Sequence, residues 1–186
     1  MVILETERLV LRMFRESDLD SYAEMCASEV VMRYISTGRT LSRMEAWRDM
    51  ALVLGHWQLR GYGLWAVEER QSRSLVGRIG CWNPEGWPGF ELGWMLRHQY
   101  WGHGYATEGA RAAMNYAFSV LKVPRVISLI YPENTRSVRV ARQLGEQLEG
   151  TLEVAMIPGV QLEVYGIHRE EWERSRLQIQ ETGSRS

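Results

Sequence analysis

Phe90-Glu91-Leu92-Gly93-Trp94-Met95-Leu96, continuing through Gln99-Tyr100-Trp101-Gly102-His103-Gly104-Tyr105-Ala106-Thr107, is the stretch that decides the fold. Its opening residues read as a strand. From about Tyr105 the pattern changes: Ala106, Ala110, Ala113, Met114, Ala117 and Phe118 recur at three- and four-residue spacing, the period of one helix face. Gly102 and Gly104 stand between the two, and without side chains they let a ligand approach the main chain closely. The first amides of a helix have no partner within it, so they are free to bind an anion. This reads as a phosphate cradle at the end of a strand. Taken alone, the glycine turn fits a tight connection with no ligand equally well. Two familiar phosphate motifs do not fit. Gly104 is followed by Tyr105 and Ala106 rather than Lys and Ser or Thr. A dinucleotide fold needs a third glycine where Thr107 stands, and the next predicted strand ends at Tyr131-Pro132 without a ribose-binding carboxylate.

Upstream of this stretch, Arg8 to Met13 alternates as a half-buried strand. Ser17 and Asp18 are expected to cap a helix whose inner face carries Leu19, Tyr22, Ala23 and Cys26. After a polar break at Ser36-Thr37-Gly38, Ser42 and Glu45 form a capping box for a helix striped by Trp47, Met50, Ala51, Leu54 and Trp57. Gly61 and Gly63 mark its end. Strands follow at Leu64 to Glu68 and Leu75 to Trp82, then the turn-rich segment Asn83 to Gly89. Downstream, Arg125 to Tyr131 reads as a strand with Val126, Ser128 and Ile130 on one face. Asn134 opens a short helix with Val138, Ala141 and Leu144 inward, and Gly145 stops it. Leu148 to Met156 and Gln161 to His168 are the final strands, around a Pro158-Gly159 turn. A charged helix from Arg169 to Arg176 carries Trp172.

The expected fold is therefore one mixed α/β domain over residues 1–180. About seven mostly antiparallel strands are flanked by helices, and residues 181–186 form a frayed tail. There are no repeats and no linker. The 186 residues suffice for one full hydrophobic core. The chain has 22 basic against 23 acidic residues, a net charge of -1 that gives no broad attraction to nucleic acid. No apolar run is long enough to span a membrane, and the start lacks a signal-peptide pattern, so a cytoplasmic protein is expected. Cys26 and Cys81 have no metal-ligand spacing and read as buried free thiols of a reducing compartment; no metal is expected.

Gln99-x-x-Gly102-x-Gly104, after a strand and before a helix, resembles the acyl-CoA signature of the Gcn5-related N-acetyltransferases (GNAT), and the element order is also theirs. Several segments resemble the ribosomal-protein N-terminal acetyltransferase (RimJ/RimL-type) branch. They are Glu5-Thr6-Glu7-Arg8-Leu9-Val10-Leu11-Arg12, Glu91-Leu92-Gly93-Trp94, Tyr100 to Glu108, Asn134-x-x-Ser137 with Leu144-Gly145, and Tyr165-Gly166-Ile167 before Arg169 to Trp172. The likeness covers roughly residues 5 to 173.

The resemblance implies acetyl-CoA as cofactor, its pyrophosphate on the main chain from Gly102 through His103, Gly104, Tyr105 and Ala106 to Thr107. It implies that the pantetheine arm pairs like an added strand with the backbone of Met95, Leu96 and Arg97. Gln99 belongs to the signature. Asn134 would hold the arm by its amide, although Asn is also a favoured helix cap. Arg97, His98, Arg136 and Arg139 are either phosphate contacts or solvated charges. Transfer requires a neutral amine, and Glu91, on the strand beside the expected thioester, is the candidate base. A paired or exposed strand carboxylate is its other reading. A backbone amide near Met95 would face the carbonyl oxygen, and His103 lies too far away to act on the acyl group. The family's usual tyrosine acid falls seven residues after the asparagine, where this chain has Ala141, so Ser137 is the substitute acid. The acceptor is expected between the segment Ser28 to Thr40 and the Pro158-Gly159 turn, near Trp82 and Trp87. Three functions follow: an N-acetyltransferase acting on a protein N-terminus or small amine, a detoxifying acetyltransferase, or an acyl-CoA-binding regulatory module. Homodimers are common among the resembled proteins.

Overall fold

A computed structural model describes residues 2–155 and 157–183. Among the described residues, eight strands form one sheet in the order β1-β2-β3-β4-β5-β6-β8-β7. They are β1 (Leu4–Glu5), β2 (Leu9–Arg12), β3 (Leu64–Glu69), β4 (Leu75–Trp82), β5 (Glu91–Leu96), β6 (Arg125–Ile130), β7 (Gln147–Glu153) and β8 (Gln161–His168). Every neighbouring pair is antiparallel except β5 and β6. The sheet is thus mixed and mostly antiparallel, as expected, with one strand more. The additional strand, β1, is two residues that pair back onto β2, too short to show a pattern in the sequence.

The helices are α1 (Leu19–Cys26), α2 (Glu29–Met32), α3 (Arg43–Arg60), α4 (Tyr105–Ser119), α5 (Thr135–Leu144) and α6 (Arg169–Gly183). None of them is long and apolar enough, among the described residues, to cross a membrane. Ser42 and Glu45 form the expected capping box on α3, and Gly61 closes it at φ 74°. The inner stripe of α3 differs from the expected one. Ala46, Met50, Val53 and Trp57 are buried, whereas Trp47 and Leu54 face outward. Large apolar residues occur on both sides of this helix, so size alone points to the wrong face. Asp18 does not cap α1 with its side chain. Its carboxylate takes two bonds from Arg12, at 2.7 and 2.8 Å, in a buried pair that Glu68 shares. α2 is a short additional helix within the segment Ser28 to Thr40, ahead of the polar break at Ser36 to Gly38; α6 runs past Arg176, and β7 ends at Glu153. Met156 and residues 184–186 of the expected strand and tail lie outside the described residues.

One local feature governs the site. α4 lies flat on β4 and β5 because its inward positions are small: Gly109, Ala110, Ala113 and Ala117 are buried. A Cβ on Gly109 would sit 2.6 Å from Ile79 Cδ1, so any larger residue would have to push that side chain aside. The crossover through α4 makes β5 and β6 parallel. Their pairing is confined to Glu91 opposite Ile127, with Ile127 N–H donating to Phe90 O at 2.9 Å. Beyond that point the strands part, and the sheet carries a fork.

Candidate active site

The fork exposes main chain. Arg97 N–H donates to Val76 O at 2.8 Å, which fixes the alternation along β5. Glu91, Gly93, Met95 and Arg97 turn their backbone groups to β4. Leu92, Trp94 and Leu96 turn theirs toward the gap. There the Leu92 carbonyl accepts from Ser128 Oγ at 2.8 Å, and the Leu96 carbonyl accepts from Trp101 Nε1 at 2.9 Å. The backbone of Trp94 and the N–H of Leu96 are left facing the opening. The gap-facing donors of this stretch therefore belong to Trp94 and Leu96, whereas the Met95 amide, expected to face the acyl group, points to β4.

A groove of about 390 Å³ runs from this gap along the start of α4 and the side of α5. Met95, Leu96, Gly102, Gly104, Tyr105, Ala106, Thr107 and Asn134 line it, together with Arg136 and Arg139. Gly102 and Gly104 adopt φ of 81° and 80°, the left-handed region that glycine enters without strain. No side chain caps the α4 N-terminus. A Cβ on Gly102 would stand in open space. Arg8 braces the turn from behind, donating to His103 O at 2.8 Å and to Glu108 Oε2 at 2.7 Å. Free amides, a helix dipole and a side-chain-free approach suit a phosphate group. Three expected cofactor residues stand apart from the groove lining. Arg97 donates to Glu24 at 2.5 Å and Leu75 O at 3.4 Å, Gln99 is exposed, and His103 is exposed with Nδ1 near Trp101 O.

On the other side of the fork lies a cavity of about 270 Å³. Trp82, Trp87, Tyr131 and Ile157 wall it, and Asp49, Arg78, Glu91 and Ser128 supply its polar groups. Tyr131 OH donates to Ser36 O, tying the chain after α2 across the opening. Tyr34, Ile35, Trp94, Met95, Asn134 and Ser137 line both spaces, so groove and cavity adjoin across these residues. Glu91 projects into the cavity and accepts from Trp87 Nε1 at 2.8 Å. Burial raises its pKa to about 7, against the opposing pull of that indole, a backbone bond at Leu129 and the Arg78 charge. A carboxyl poised near neutrality suits a general base. Arg78 is held by Asp49 at 2.5 Å and by Tyr22 OH at 2.8 Å, so the cation beside the cavity is paired.

Asn134 and Ser137 meet where the two spaces join. Asn134 is the N-cap of α5, its Oδ1 accepting from Ser137 N–H at 3.3 Å. The cap uses the oxygen and leaves the Nδ2 hydrogens for a ligand carbonyl, so the two readings of this residue are compatible. Ser137 Oγ accepts from Trp94 Nε1 at 3.2 Å, which leaves its own hydrogen to donate. Ala141 is fully buried against Ile130 and Tyr165, with Trp94 and Val138 packed on the cluster. The indole of Trp94 thus packs on the cluster that holds Ala141 and reaches the serine one turn earlier. Sequence reasoning passed over Trp94, Asp49 and Arg78. For Trp94 a signal existed: Ala141 needs a bulky neighbour, and an indole on the facing strand supplies one.

An Acetyltransferase (GNAT) domain family matches residues 8–147. The uncharacterised N-acetyltransferase YnaD of Bacillus subtilis is 28% identical over 172 residues, covering 91% of this chain and 98% of that protein. The crystal structure of an acetyltransferase from Agrobacterium tumefaciens is 29% identical, with a TM-score of 0.79, covering 90% of this chain and 95% of that one. The ribosomal L7/L12 α-N-protein acetyltransferase RimL, solved in complex with coenzyme A, shares the fold at a TM-score of 0.75 and 18% identity, over 90% of this chain and 98% of its own.

Proposed function

This chain belongs to the GNAT acetyltransferases, and from that premise we propose that it transfers an acetyl group from acetyl-CoA to a primary amine by direct attack, with both substrates bound together. The adjoining spaces carry this reading: a groove suited to an anion and a carboxylate-bearing cavity share six lining residues at one fork in the sheet. Chemistry at the junction needs both substrates present at once. When bound, acetyl-CoA supplies an activated thioester. RimL, whose fold this chain shares, is a coenzyme A-binding protein, in line with that choice.

The residues fit the cofactor. Gly102 to Thr107 would take the pyrophosphate on main-chain nitrogens, with Arg136 and Arg139 alongside. The gap-facing backbone of Trp94 and the N–H of Leu96 would pair with the pantetheine arm, aided by Asn134 Nδ2. Glu91 accepts the proton that the amine must lose, directly or through one water. Its elevated pKa keeps that step feasible near pH 7. Ser137, already accepting from Trp94, donates toward the departing sulfur. Leaving as an unprotonated thiolate near pH 7 costs only about 2 kcal/mol. Positioning two reactants, worth roughly 7–11 kcal/mol, matters far more.

The acceptor is a protein N-terminus or a small-molecule amine, and the reaction would take place in the cytoplasm. Release of free thiol from acetyl-CoA against a panel of peptides and small amines tests the reading. Turnover with at least one primary amine is expected. Stabilisation by acetyl-CoA with no thiol release for any acceptor would leave a binding module instead.

A further inference from the structure

One buried carboxyl near the fork has no part in the chemistry above. Glu146 follows Gly145 at the end of α5, is 2% exposed, and its Oε2 has no hydrogen-bond partner among the described residues. Its Oε1 lies 3.1 Å from Ser128 Oγ, which itself lies 2.8 Å from the Leu92 carbonyl. A serine hydroxyl has one hydrogen. If Glu146 were ionised, both neighbours of Ser128 Oγ would be acceptors competing for that hydrogen. One of the two short oxygen–oxygen contacts would then lack a proton. With a proton on Glu146 the chain is complete: Glu146 donates to Ser128, and Ser128 donates to Leu92.

We propose that Glu146 is a positioning residue of the acetyl-transfer site: it keeps a proton, gives that proton to Ser128 in a hydrogen bond, and so holds Ser128 on the Leu92 carbonyl where β5 and β6 part. The Ser128–Leu92 bond ties the two strands across the fork just beyond their last ladder pair, between Glu91 and the gap-facing Trp94. The effect on rate rests on the proposed acetyl transfer; the proton on Glu146 does not.

The surroundings favour the protonated form. Glu91 on β5 and Glu149 on β7 are the charged groups that act on Glu146, and both are carboxyls. The cations nearby are engaged elsewhere. Arg125 on β6 pairs with Glu149, Arg111 on α4 donates to Gln143 O at 2.9 Å, and Arg142 on α5 acts on Tyr165. Tyr165 on β8 donates to Glu163 at 3.0 Å. Burial, followed by the two carboxylates, pushes the Glu146 pKa up to about 8; only a Ser128 hydroxyl turned to donate to an ionised Glu146 would pull it down, and that turn would take the hydrogen from Leu92. The neutral carboxyl is therefore the favoured form of Glu146.

Three substitutions of Glu146 in the full chain, to Ala, Gln and Asp, test this. Glu146→Ala removes the donor and is expected to lower kcat/KM at neutral pH by about tenfold, the scale of one buried hydrogen bond. Glu146→Gln, uncharged and able to donate to Ser128, is expected to recover most of that loss. It should also keep its rate above pH 8, where the wild type declines as Glu146 ionises and takes the Ser128 hydrogen from Leu92. Recovery by Asp but not by Gln, or alkaline limbs that superimpose, overturns the proposal. A carboxyl-carbon NMR titration of wild type against Glu146→Gln decides the proton without any turnover. A Glu146 midpoint near 8 is expected, and one in the ordinary carboxylate range defeats it. Should no amine prove to be a substrate, the acetyl-transfer reading fails while this titration still judges Glu146.

Discussion

The groove and the cavity meet at the fork but are made in opposite ways. The groove offers main-chain groups to an anion and is drawn from three short runs: Val30 to Ile35, the end of β5 through the first turn of α4, and Asn134 to Gln143 along α5. The cavity is mostly side chain, drawn from segments scattered between Tyr34 and Leu162. A diphosphate can be bound by amides whatever side chains surround them, provided the backbone takes the right path. An acceptor must be recognised by walls, and walls can change residue by residue without disturbing the fold. The two halves should therefore respond differently to substitution.

The largest effect belongs to the groove. Gly104→Glu puts a carboxylate at the mouth of the anion cradle, at a position where φ is 80°. A left-handed non-glycine residue costs roughly 1–2 kcal/mol, which a domain of this size survives. Steric room exists, since a Cβ there meets only Arg8 Nη2 at 3.4 Å. The variant is expected to fold and to lose both the rise in melting temperature with acetyl-CoA and all turnover. An undiminished rise in a folded variant would place the cofactor elsewhere.

In the cavity, Glu91→Gln is expected to lower kcat/KM by about 10²–10⁴ while leaving acetyl-CoA stabilisation intact. The wild-type rate should rise through about pH 7 as Glu91 ionises, and that inflection should be missing in the variant. Stability gives an independent reading with a definite sign. The folded pKa lies above the unfolded one, so the folded state holds the extra proton and wild-type stability falls as pH rises from the ordinary carboxylate range to about 7. Glu91→Gln removes that fall, so its melting temperature should gain on wild type over this window. Equal slopes would mean that Glu91 titrates normally and is a poor base.

The same contrast explains what could be read from the sequence. Gly102, Gly104 and the helical period after Tyr105 are local signals, because backbone conformation is set by the residues that adopt it. They place the groove before any coordinates exist. Glu91 is legible because a strand leads into the glycine turn. Asp49 and Arg78 are not, since their pairing joins α3 to β4 over 29 positions of chain. Glu146 carries no local signal either, since its partner Ser128 lies 18 positions away on β6. The outward face of α3 was misread for a related reason. Trp47 and Leu54 are apolar, but only the packed neighbours decide which side of a helix is inside.

The smallest effects lie at the junction, where groove and cavity share residues. Ser137→Ala is expected to retain turnover, losing about tenfold or less, because a thiolate can leave unaided at a cost of about 2 kcal/mol near pH 7. Trp94→Phe keeps an aromatic ring against Ala141 but removes the 3.2 Å bond to Ser137 Oγ. A few-fold loss in kcat is expected, corresponding to roughly 0.5–1 kcal/mol for one neutral hydrogen bond. Because the indole acts through the serine, the two losses should not add: Trp94→Phe should change little in a Ser137→Ala background. Additive losses would mean that Trp94 serves the junction by shape alone, and total inactivity of Ser137→Ala with cofactor binding intact would make proton donation, not positioning, the costly step.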